Sequence, residues 1–475
     1  MLMDRANMGV WILVCFAIGC GSMTSRPTAE VLSSVKDLES ENIGSVRKPI
    51  PSARKLLQVL GQAIPPTEIP KPQYHVPYLV SPDVPLTLEV VEAGAVISNP
   101  SIAAAQAKLD SIYGSWLQSG LPPNPVVGYA AEELGGDEPR QGLFLRQQII
   151  RGDKLQRNRE VASWEIEKHK QQLATITQRV RTDVRLAFYG VLVSQKRREI
   201  TRQIVENSQD ALTTVLQLHA AKESSQIDVL RSRLALQTAV VISKNALNAH
   251  DASWTRLQAV GNLEHLAVRR LEGDLEMVIP ALNSDEVLSR LTNESPKIAE
   301  LLLEIDRAKS QVGRERAEVV PDVTVQAALL SHSENGGTSA NLQVTMPLPW
   351  INRNQGGIRR AQAEVVAAER SVDRFQLHLR DKLGIVMKRY RDAQNHIEAY
   401  SQEGGILASA QESLDLIQTG YQEGELGYLE LLQAQRTFSQ THLSYIESIS
   451  ELWKAILEIE GMLLDGSLHD NAGGY

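Results

Sequence analysis

The chain has 475 residues, a net charge of -8 and only 5% aromatic residues. Basic and acidic residues are mixed along its length, which argues against a nucleic-acid-binding protein, because such proteins carry a basic stripe. Hydrophobic residues make up 43% of the sequence, mostly leucine, valine, isoleucine and alanine, and this mixture favours long packed helices. Beyond the N-terminus the sequence has no apolar run of about 18 residues, so a helical transmembrane protein is not expected.

The N-terminus has the pattern of a secretory lipoprotein signal. The apolar segment 10–18 is too short to span a bilayer, and the sequence AIGC at residues 17–20 resembles a bacterial lipobox. In signals of this type the cysteine is diacylated and becomes the first mature residue. We therefore expect residues 1–19 to be removed and Cys20 to carry lipid. The alternative is an ordinary signal peptide with a chance cysteine. Cys15 would leave with the signal, so no disulfide is expected.

Residues 20–85 differ in composition from the rest of the chain. Prolines crowd the stretch from Pro49 to Pro85. Proline at this density prevents a regular helix and favours an extended, polyproline-like chain. We predict a linker between the lipid and the folded body. The same segment could instead lie along the surface of a neighbouring subunit, and the sequence leaves both alternatives open.

An internal repeat organises the chain after residue 86. The first repeat is placed at residues 86–282 and the second at residues 283–465. Residues 466–475 are predicted to form a disordered tail. Because both halves show the same succession of patterns, the two repeats are expected to have the same order of helices and strands.

Each repeat begins with an amphipathic helix, predicted over residues 86–119 in the first repeat and 285–317 in the second. A proline-marked strand start comes next. Two extended segments follow, and glycine pairs at residues 135–136 and 336–337 mark the turn between them.

The extended segments alternate in polarity as β-strands do. Apolar and polar side chains alternate from Val323 to Leu329 and again from Asn341 to Leu348, and less cleanly over residues 143–149. Each segment is about ten residues long, the length that a tilted strand needs to cross a membrane. The alternative is a soluble hairpin whose apolar face packs on helices.

Very long helices follow the strands. Apolar residues three or four positions apart run from Val372 to Tyr400, within a proline-free stretch over residues 356–420. A helix of about 60 residues reaches about 90 Å. A matching stripe runs over residues 157–218, and in each repeat a turn and a helix of about 40 residues follow. The pair Gly404-Gly405 interrupts the second long helix, where it is expected to kink the helix or allow close packing.

The predicted fold is mainly α-helical with a membrane β-barrel portion, built from long helical hairpins and four strands per protomer. Four strands are too few to close a barrel, and a bilayer does not tolerate unpaired strand edges. Three copies would supply twelve strands, and the same axis would gather their helices into a tube. The sequence therefore predicts a homotrimer.

Three segments resemble the signatures of a known family. Residues 346–356, MPLPWINRNQG, resemble its pattern P-L-P-hydrophobic-x-N-R-N-x-G, where strand becomes helix. Residues 420–436, which begin GYQEGEL and end LQAQR, resemble its turn at the helix tip, and LPPNP at 121–125 resembles its first strand entry. In this order, over about residues 86–464, the chain is similar to TolC-like outer membrane factors. It is most similar to the branch that serves heavy-metal and cation efflux.

The first repeat departs from these signatures in two places. Its counterpart of the tip turn, around residues 220–230, lacks the glycine that the family often has there. Its strand-to-helix junction, residues 151–155, only loosely resembles the family's glycine-lysine turn. These departures weaken the assignment to a branch more than the assignment of the fold.

The resemblance implies a lipid-anchored outer-membrane trimer with a twelve-stranded barrel above a periplasmic helical tunnel. It also implies two protein partners: a periplasmic adaptor (membrane fusion) protein and an inner-membrane pump of the resistance–nodulation–division type. Outer-membrane lipid would surround the barrel. The resemblance implies no cofactor and no nucleic acid.

The helical tips are the predicted docking sites for the adaptor, because glycine permits a tight reversal and small residues allow close approach. The residues concerned are Ala221, Lys222, Glu223 and Ser224 at the first tip, and Tyr421, Gly424, Glu425 and Leu426 at the second. The alternative is a plain helix reversal without a partner.

Three acidic residues near the second tip are candidates for a gate: Glu423, Glu425 and Glu430. In three copies they would form carboxylate rings, which attract cations and repel anions at a narrow opening. The alternative is that these charges simply face solvent at a helix end.

The sequence shows no catalytic or metal-binding motif in a suitable context, and its ten histidines are scattered. The absence of such motifs predicts no enzymatic activity, and the resemblance implies a passive exit duct for metal cations or small toxic compounds. One alternative is a periplasmic coiled-coil adaptor or scaffold lipoprotein. The other is a TolC-like duct for drug efflux or protein secretion.

Overall fold

The structure is a computed structural model that describes residues 86–132, 140–263, 268–275, 280–332, 337–464 and 466–467. The predictions for the signal, Cys20, the proline-rich linker, the glycine pair at 135–136 and residues 468–475 lie outside the described residues.

The two halves of the chain contain the same elements in the same order. The first half comprises α1 (Leu88–Ser98), α2 (Pro100–Ser119), β1 (Val126–Glu132), β2 (Arg140–Ile149), α3 (Lys154–Ala220) and α4 (Gln226–Gly261). The second half comprises α5 (Ser284–Glu294), α6 (Pro296–Ala317), β3 (Val323–His332), β4 (Thr338–Thr345), α7 (Gln355–Ser401), α8 (Ile406–Gln422) and α9 (Tyr428–Glu460). Each half is thus a helix pair, two strands and a long helical hairpin. Among the described residues, no helix combines the length and the apolar character needed to span a bilayer.

The first helix of each half is split in two, which corrects the prediction of one continuous helix. Proline disfavours helical geometry in the residue before it, and Asn99 and Ser295 both have extended backbone. Pro100 and Pro296 then occupy the first turn of α2 and α6, where a missing N–H costs nothing. Asn99 also caps α2, since its side-chain oxygen accepts a hydrogen bond from the Ser101 amide at 2.8 Å.

The two long descending helices differ in continuity. The helix α3 runs for 67 residues without a break, about 100 Å. In the second half α7 ends at Ser401 and α8 begins at Ile406. Gly404 has φ +68 in the break, and a Cβ on Gly405 would approach the Gln402 carbonyl oxygen to 2.7 Å. The predicted interruption is therefore a full helix break that requires glycine.

The four strands form one antiparallel sheet in the order β1-β2-β3-β4. The strand β2 of the first half pairs with β3 of the second half, so the two repeats meet in the middle of the sheet. The strands β1 and β4 are its two edges. The last strand ends at Thr345, so Met346 and Leu348, predicted as strand, follow it instead.

The helices pack along the predicted stripes. The α7 positions from Val372 to Ile397 that were expected to face the core are buried, apart from the partly buried Phe375. In α3, the residues Val180, Val184 and Val191 are fully buried. The two halves also meet where Tyr189 of α3 stacks on Trp453 of α9, with ring centroids 3.9 Å apart.

Candidate functional site

One face of the sheet is apolar and exposed. Cross-strand pairing forms two apolar rows on this face, Tyr129–Leu143–Leu329–Ala340 and Val127–Leu145–Ala327–Leu342. The large side chains in these rows are between 40% and 70% exposed. In the described part of the chain no helix covers this face. The soluble-hairpin alternative required helices to pack on it.

The other face of the sheet is more polar and more closely packed. Arg146 donates a hydrogen bond to Gln326 at 2.9 Å, and its guanidinium lies 5.2 Å from the centre of the Phe144 ring. Ala328 and Leu330 are buried on this side. The predicted alternation is therefore present. The odd-numbered positions of β3 from 325 to 329 lie on the apolar face.

Glycine is needed where the strands β2 and β3 approach each other closely. A Cβ on Gly142 would overlap the carbonyl group of Leu329, the backbone of the neighbouring strand. This close approach lies at the β2–β3 pairing, the seam between the two halves. Any side chain at Gly142 would therefore separate the central strands.

The strand-to-helix junctions are equivalent in the two halves. Asp153 (φ 56) and Asn354 (φ 55) both take the left-handed conformation directly before a long helix. The first junction thus folds like the second, although its sequence resembles the family signature only loosely. Asparagine and aspartate tolerate this conformation better than most residues.

A buried carboxylate braces the second junction. Glu315 accepts hydrogen bonds from Asn354 at 2.6 Å and from Gln311 at 2.8 Å. The hydrogen bond from Asn354 holds the pKa of Glu315 below its ordinary value, against the opposing effect of burial, and the positive charges of Arg314 and Arg360 lower it further. Glu315 is therefore charged at neutral pH and fixes the loop ahead of α7.

The turns at the two helical tips have the same length and an equivalent backbone hydrogen bond. The amide of Glu223 donates to the Leu218 carbonyl at 2.8 Å, and the amide of Glu425 donates to the Gly420 carbonyl at 2.8 Å. In each turn the residue before this amide has positive φ, and it is Lys222 (φ 70) in one and Gly424 (φ 77) in the other. The first tip thus keeps the tight reversal without the expected glycine, with lysine in a strained conformation.

Most of the predicted docking and gate residues are exposed. At the first tip Ala221, Lys222 and Glu223 are exposed, and Ser224 is half-buried. At the second tip the exposed residues are Glu423, Gly424, Glu425, Leu426 and Glu430. Tyr421 differs, because its side chain is only 5% exposed and lies inside the hairpin pair. Its side chain is therefore a support for the turn and does not form part of the tip surface.

Tyr421 and Tyr428 connect the second tip to the first. Their rings meet edge to face with centroids 5.9 Å apart. The Tyr421 hydroxyl lies near Ser224, and the Tyr428 hydroxyl lies near Ser232 of α4, but none of these four buried hydroxyls forms a hydrogen bond within the described chain. Burial raises the pKa of both phenols, so both remain neutral at physiological pH. The ends of the two hairpins are thus packed together around two buried tyrosine rings.

Comparison with known proteins shows which proteins this chain is similar to. The family model for the outer membrane efflux protein matches residues 287–456, from α5 to α9. Over 386 residues the chain is 25% identical to the cobalt-zinc-cadmium resistance protein CzcC of Cupriavidus metallidurans, covering 80% of this chain and 90% of that protein. The second half of the chain is therefore similar to outer membrane efflux proteins.

Solved structures show the same fold. The chain superposes on CusC, a transmembrane channel, with a TM-score of 0.65 at 16% identity, covering 81% of this chain and 93% of that one. It superposes on the outer membrane protein VceC of Vibrio cholerae with a TM-score of 0.66 at 16% identity, covering 80% and 96%. The predicted fold class, long helical hairpins with four strands per chain, is confirmed.

Two features of this protein were not found by sequence reasoning. Tyr428 and Ser232 were not identified as neighbours, because they lie almost 200 residues apart and only the packed hairpins bring them together. A capping box at the start of α4, in which Ser225 and Asp228 bond each other's backbone, carried a readable signal in the spacing S-x-x-D. Among the residues that the structure describes, no cluster of histidine, cysteine, aspartate and glutamate could hold a metal ion.

Proposed function

We propose that this protein is an outer membrane efflux protein, one subunit of a homotrimeric exit duct. Three four-stranded sheets would close into a twelve-stranded barrel in the outer membrane, and the helices of the three copies would form a periplasmic tunnel. The duct is passive and catalyses no reaction. The observation that carries the proposal is the exposed apolar face of the sheet, bordered by the edge strands β1 and β4.

Closure follows from the physical demands of a bilayer on such a sheet. An apolar exposed face favours lipid over water, but lipid offers no partner for the backbone groups of an edge strand. In the antiparallel order β1-β2-β3-β4, the edge strand β4 of one copy runs antiparallel to β1 of the next. Pairing β4 with the neighbouring β1 therefore removes both edges in every copy and makes the assembly cyclic.

The cargo is proposed to be metal cations delivered by a pump. CzcC, the relative that shares 25% of its residues with this chain, is named for resistance to cobalt, zinc and cadmium. The exposed carboxylates Glu423, Glu425 and Glu430 lie at one tip, where three copies would place nine negative charges around an opening. Such a ring favours cations and disfavours anions. A duct for small toxic compounds or for secreted protein is the alternative cargo assignment.

The tips are proposed to dock a periplasmic adaptor that connects the duct to an inner-membrane pump of the resistance–nodulation–division type. Support comes from the two matching turns, which present exposed residues at the same end of both hairpins. Lys222, Glu223, Gly424 and Glu425 are the exposed residues that a partner hairpin would meet. The buried rings of Tyr421 and Tyr428 would hold the two tips in one docking unit.

We also propose a lipid anchor at Cys20 and a linker between it and the first repeat. Acylation of Cys20 would hold the N-terminus at the membrane, and residues 20–85 would connect it to the first repeat at 86–282. Mass spectrometry of the mature protein tests the anchor: a diacyl mass is expected on the wild type and absent from Cys20→Ser. An unmodified wild-type cysteine would contradict it.

Single-channel conductance in planar bilayers tests the duct and its selectivity together. The purified protein is expected to conduct, with a reversal potential that favours cations. Replacing Glu423, Glu425 and Glu430 together by glutamine should reduce that preference. Glu412→Gln, at an exposed position of α8 farther from the tip, should not. Absence of conductance would favour a periplasmic scaffold, and conductance with unchanged selectivity would remove the gate assignment alone.

A further inference from the structure

We infer that Arg146 forms a ring of three positive charges inside the barrel and makes that level of the pore favour anions over cations. The inference rests on the proposed function, because one copy supplies a single charge and only the trimer completes the ring. It assigns the duct a second selectivity element, opposite in sign to the carboxylates proposed at the tips.

Arg146 carries the unbalanced charge of the described sheet. Apart from His332, the four strands contain three charged side chains, Glu132, Arg140 and Arg146, and all three lie on the polar face. Glu132 and Arg140 are partners in the β1–β2 register, so their opposite charges face each other. The register partners of Arg146 are a valine and a glutamine. Within the described strands its positive charge is therefore not compensated.

The Arg146 side chain is held against the wall of the sheet. Its Nε donates a hydrogen bond to the Gln326 side-chain oxygen at 2.9 Å, and its guanidinium lies 5.2 Å from the centre of the Phe144 ring. Both contacts are made within the sheet, and Arg146 is exposed. Its charge therefore lies at a defined level of the polar face, where a guanidinium offers further N–H donors to water or to an anion.

The position of Arg146 places its charge within reach of the pore axis. The residue precedes the end of β2 at Ile149 by three positions, about 10 Å along the strand, so the ring would lie near the helical end of the barrel. Twelve strands about 4.8 Å apart and tilted by about 45° enclose a backbone radius of about 13 Å, which places a charge held against the wall about 8 Å from the axis. This distance is shorter than the Debye length of about 10 Å in 0.1 M salt.

The size of the effect follows from Coulomb's law with screening. In water with a Debye length of about 10 Å, three charges at this radius lower the cation concentration at the axis about threefold and raise the anion concentration by a similar factor. In 1 M salt the Debye length falls to about 3 Å and the effect to about 1.2-fold. A purely structural role for Arg146, bridging β2 to β3 through Gln326, would not depend on salt in this way.

Reversal potentials in planar bilayers provide the test, measured in potassium chloride gradients centred at about 0.1 M and at about 1 M. Arg146→Gln should raise the cation-to-anion permeability ratio at least about twofold at the lower salt concentration and hardly change it at the higher one. Arg146→Lys keeps the charge and should keep the wild-type ratio. Gln343→Arg adds three charges in the same cross-strand row and should lower the ratio. Asn341→Gln, a neutral change in the adjacent row of this face, is the matched control and should leave the ratio unchanged.

The mass of each assembly is measured on the same preparations, so that failure of the ring and failure of the duct can be told apart. A wild-type trimer that conducts, with an unchanged ratio in Arg146→Gln, overturns the ring alone. A ratio that changes equally at both salt concentrations also overturns it, and so does a change in Arg146→Lys as large as that in Arg146→Gln, because both would reflect altered packing of the sheet. A wild type that neither assembles nor conducts overturns both the duct and the ring.

Discussion

The matching tips allow a paired test of backbone strain. Lys222 and Gly424 occupy the same position in two turns of equal length, and both have positive φ. Lys222→Gly should therefore stabilise the first tip, and Gly424→Ala should destabilise the second. No atom lies within 4 Å of a Cβ built on Gly424, so the effect there is one of backbone conformation and not of a clash.

The magnitude follows from two opposing terms. The left-handed conformation costs an L-residue about 1–2 kcal/mol, while glycine loses about 0.5–1 kcal/mol more than alanine in conformational entropy on folding. The difference is about 0.5–1 kcal/mol, favouring glycine at both positions. Because 1.4 kcal/mol corresponds to a tenfold change in an equilibrium constant, local opening should change about two- to five-fold.

Native-state hydrogen exchange at the tips measures this directly. The Glu223 amide is bonded to the Leu218 carbonyl, and the Glu425 amide to the Gly420 carbonyl, so each reports opening of its own turn. Exchange at Glu223 should slow in Lys222→Gly, and exchange at Glu425 should accelerate in Gly424→Ala. Gly190→Ala, a helical glycine of α3 with open space around it, serves as the control and should leave both tips unchanged.

Opposite signs at the two tips are the essential result. If both substitutions accelerated exchange, lysine would be making a contact at the first tip that outweighs its backbone strain. If neither changed exchange, the positive φ angles would not limit the stability of the turns. Either outcome would refute the reasoning from backbone conformation.

Four further predictions concern the sheet, its seam, the tyrosines and a buried carboxylate. Leu342→Arg on the apolar face should cost about 2–4 kcal/mol per copy if the face meets lipid, and should reduce assembled protein in outer-membrane fractions far more than Gln343→Arg on the other face. Gly142→Val should abolish assembly by separating β2 from β3, whereas Gly114→Ala in α2, which has open space around it, should leave the assembled yield unchanged. Tyr421→Ala should cost about 3–5 kcal/mol and accelerate hydrogen exchange at both tips, because it removes a buried ring between the hairpins; unchanged exchange at the first tip would contradict the link. The pKa of Glu315 is lowered in the folded protein, so its contribution to stability is present above its ordinary value of 4.5 and is lost as the pH falls through the folded pKa; thermal denaturation from pH 7 to pH 3 should show this loss in the wild type and a flatter dependence in Glu315→Gln.

Local patterns in the sequence predicted much of the fold. The alternation from Val323 to Leu329 and the stripe from Val372 to Tyr400 have the periods of strand and helix, and both elements are present. The helix splits at Asn99 and Ser295 were also readable, because each precedes a proline, but the amphipathic pattern on both sides concealed them.

The features that were missed depend on tertiary packing. The positive φ of Lys222 follows from the need to reverse the chain within a fixed number of residues, and no local preference of lysine announces it. Tyr421 is buried because the other hairpin covers it, so its place in a turn signature could not reveal whether it faces outward. The orientation of the apolar strand face likewise depends on where the helices attach.

The central claim is that four exposed strands per chain close into a barrel only when three copies assemble. The most direct test is the mass of the detergent-extracted mature protein by light scattering, with negative-stain images of the same sample. The account predicts a trimer shaped as a hollow rod with a wider membrane end. A monomer that stays in solution without detergent once its lipid is removed would contradict it, because the apolar face of the sheet would then have no need of a membrane.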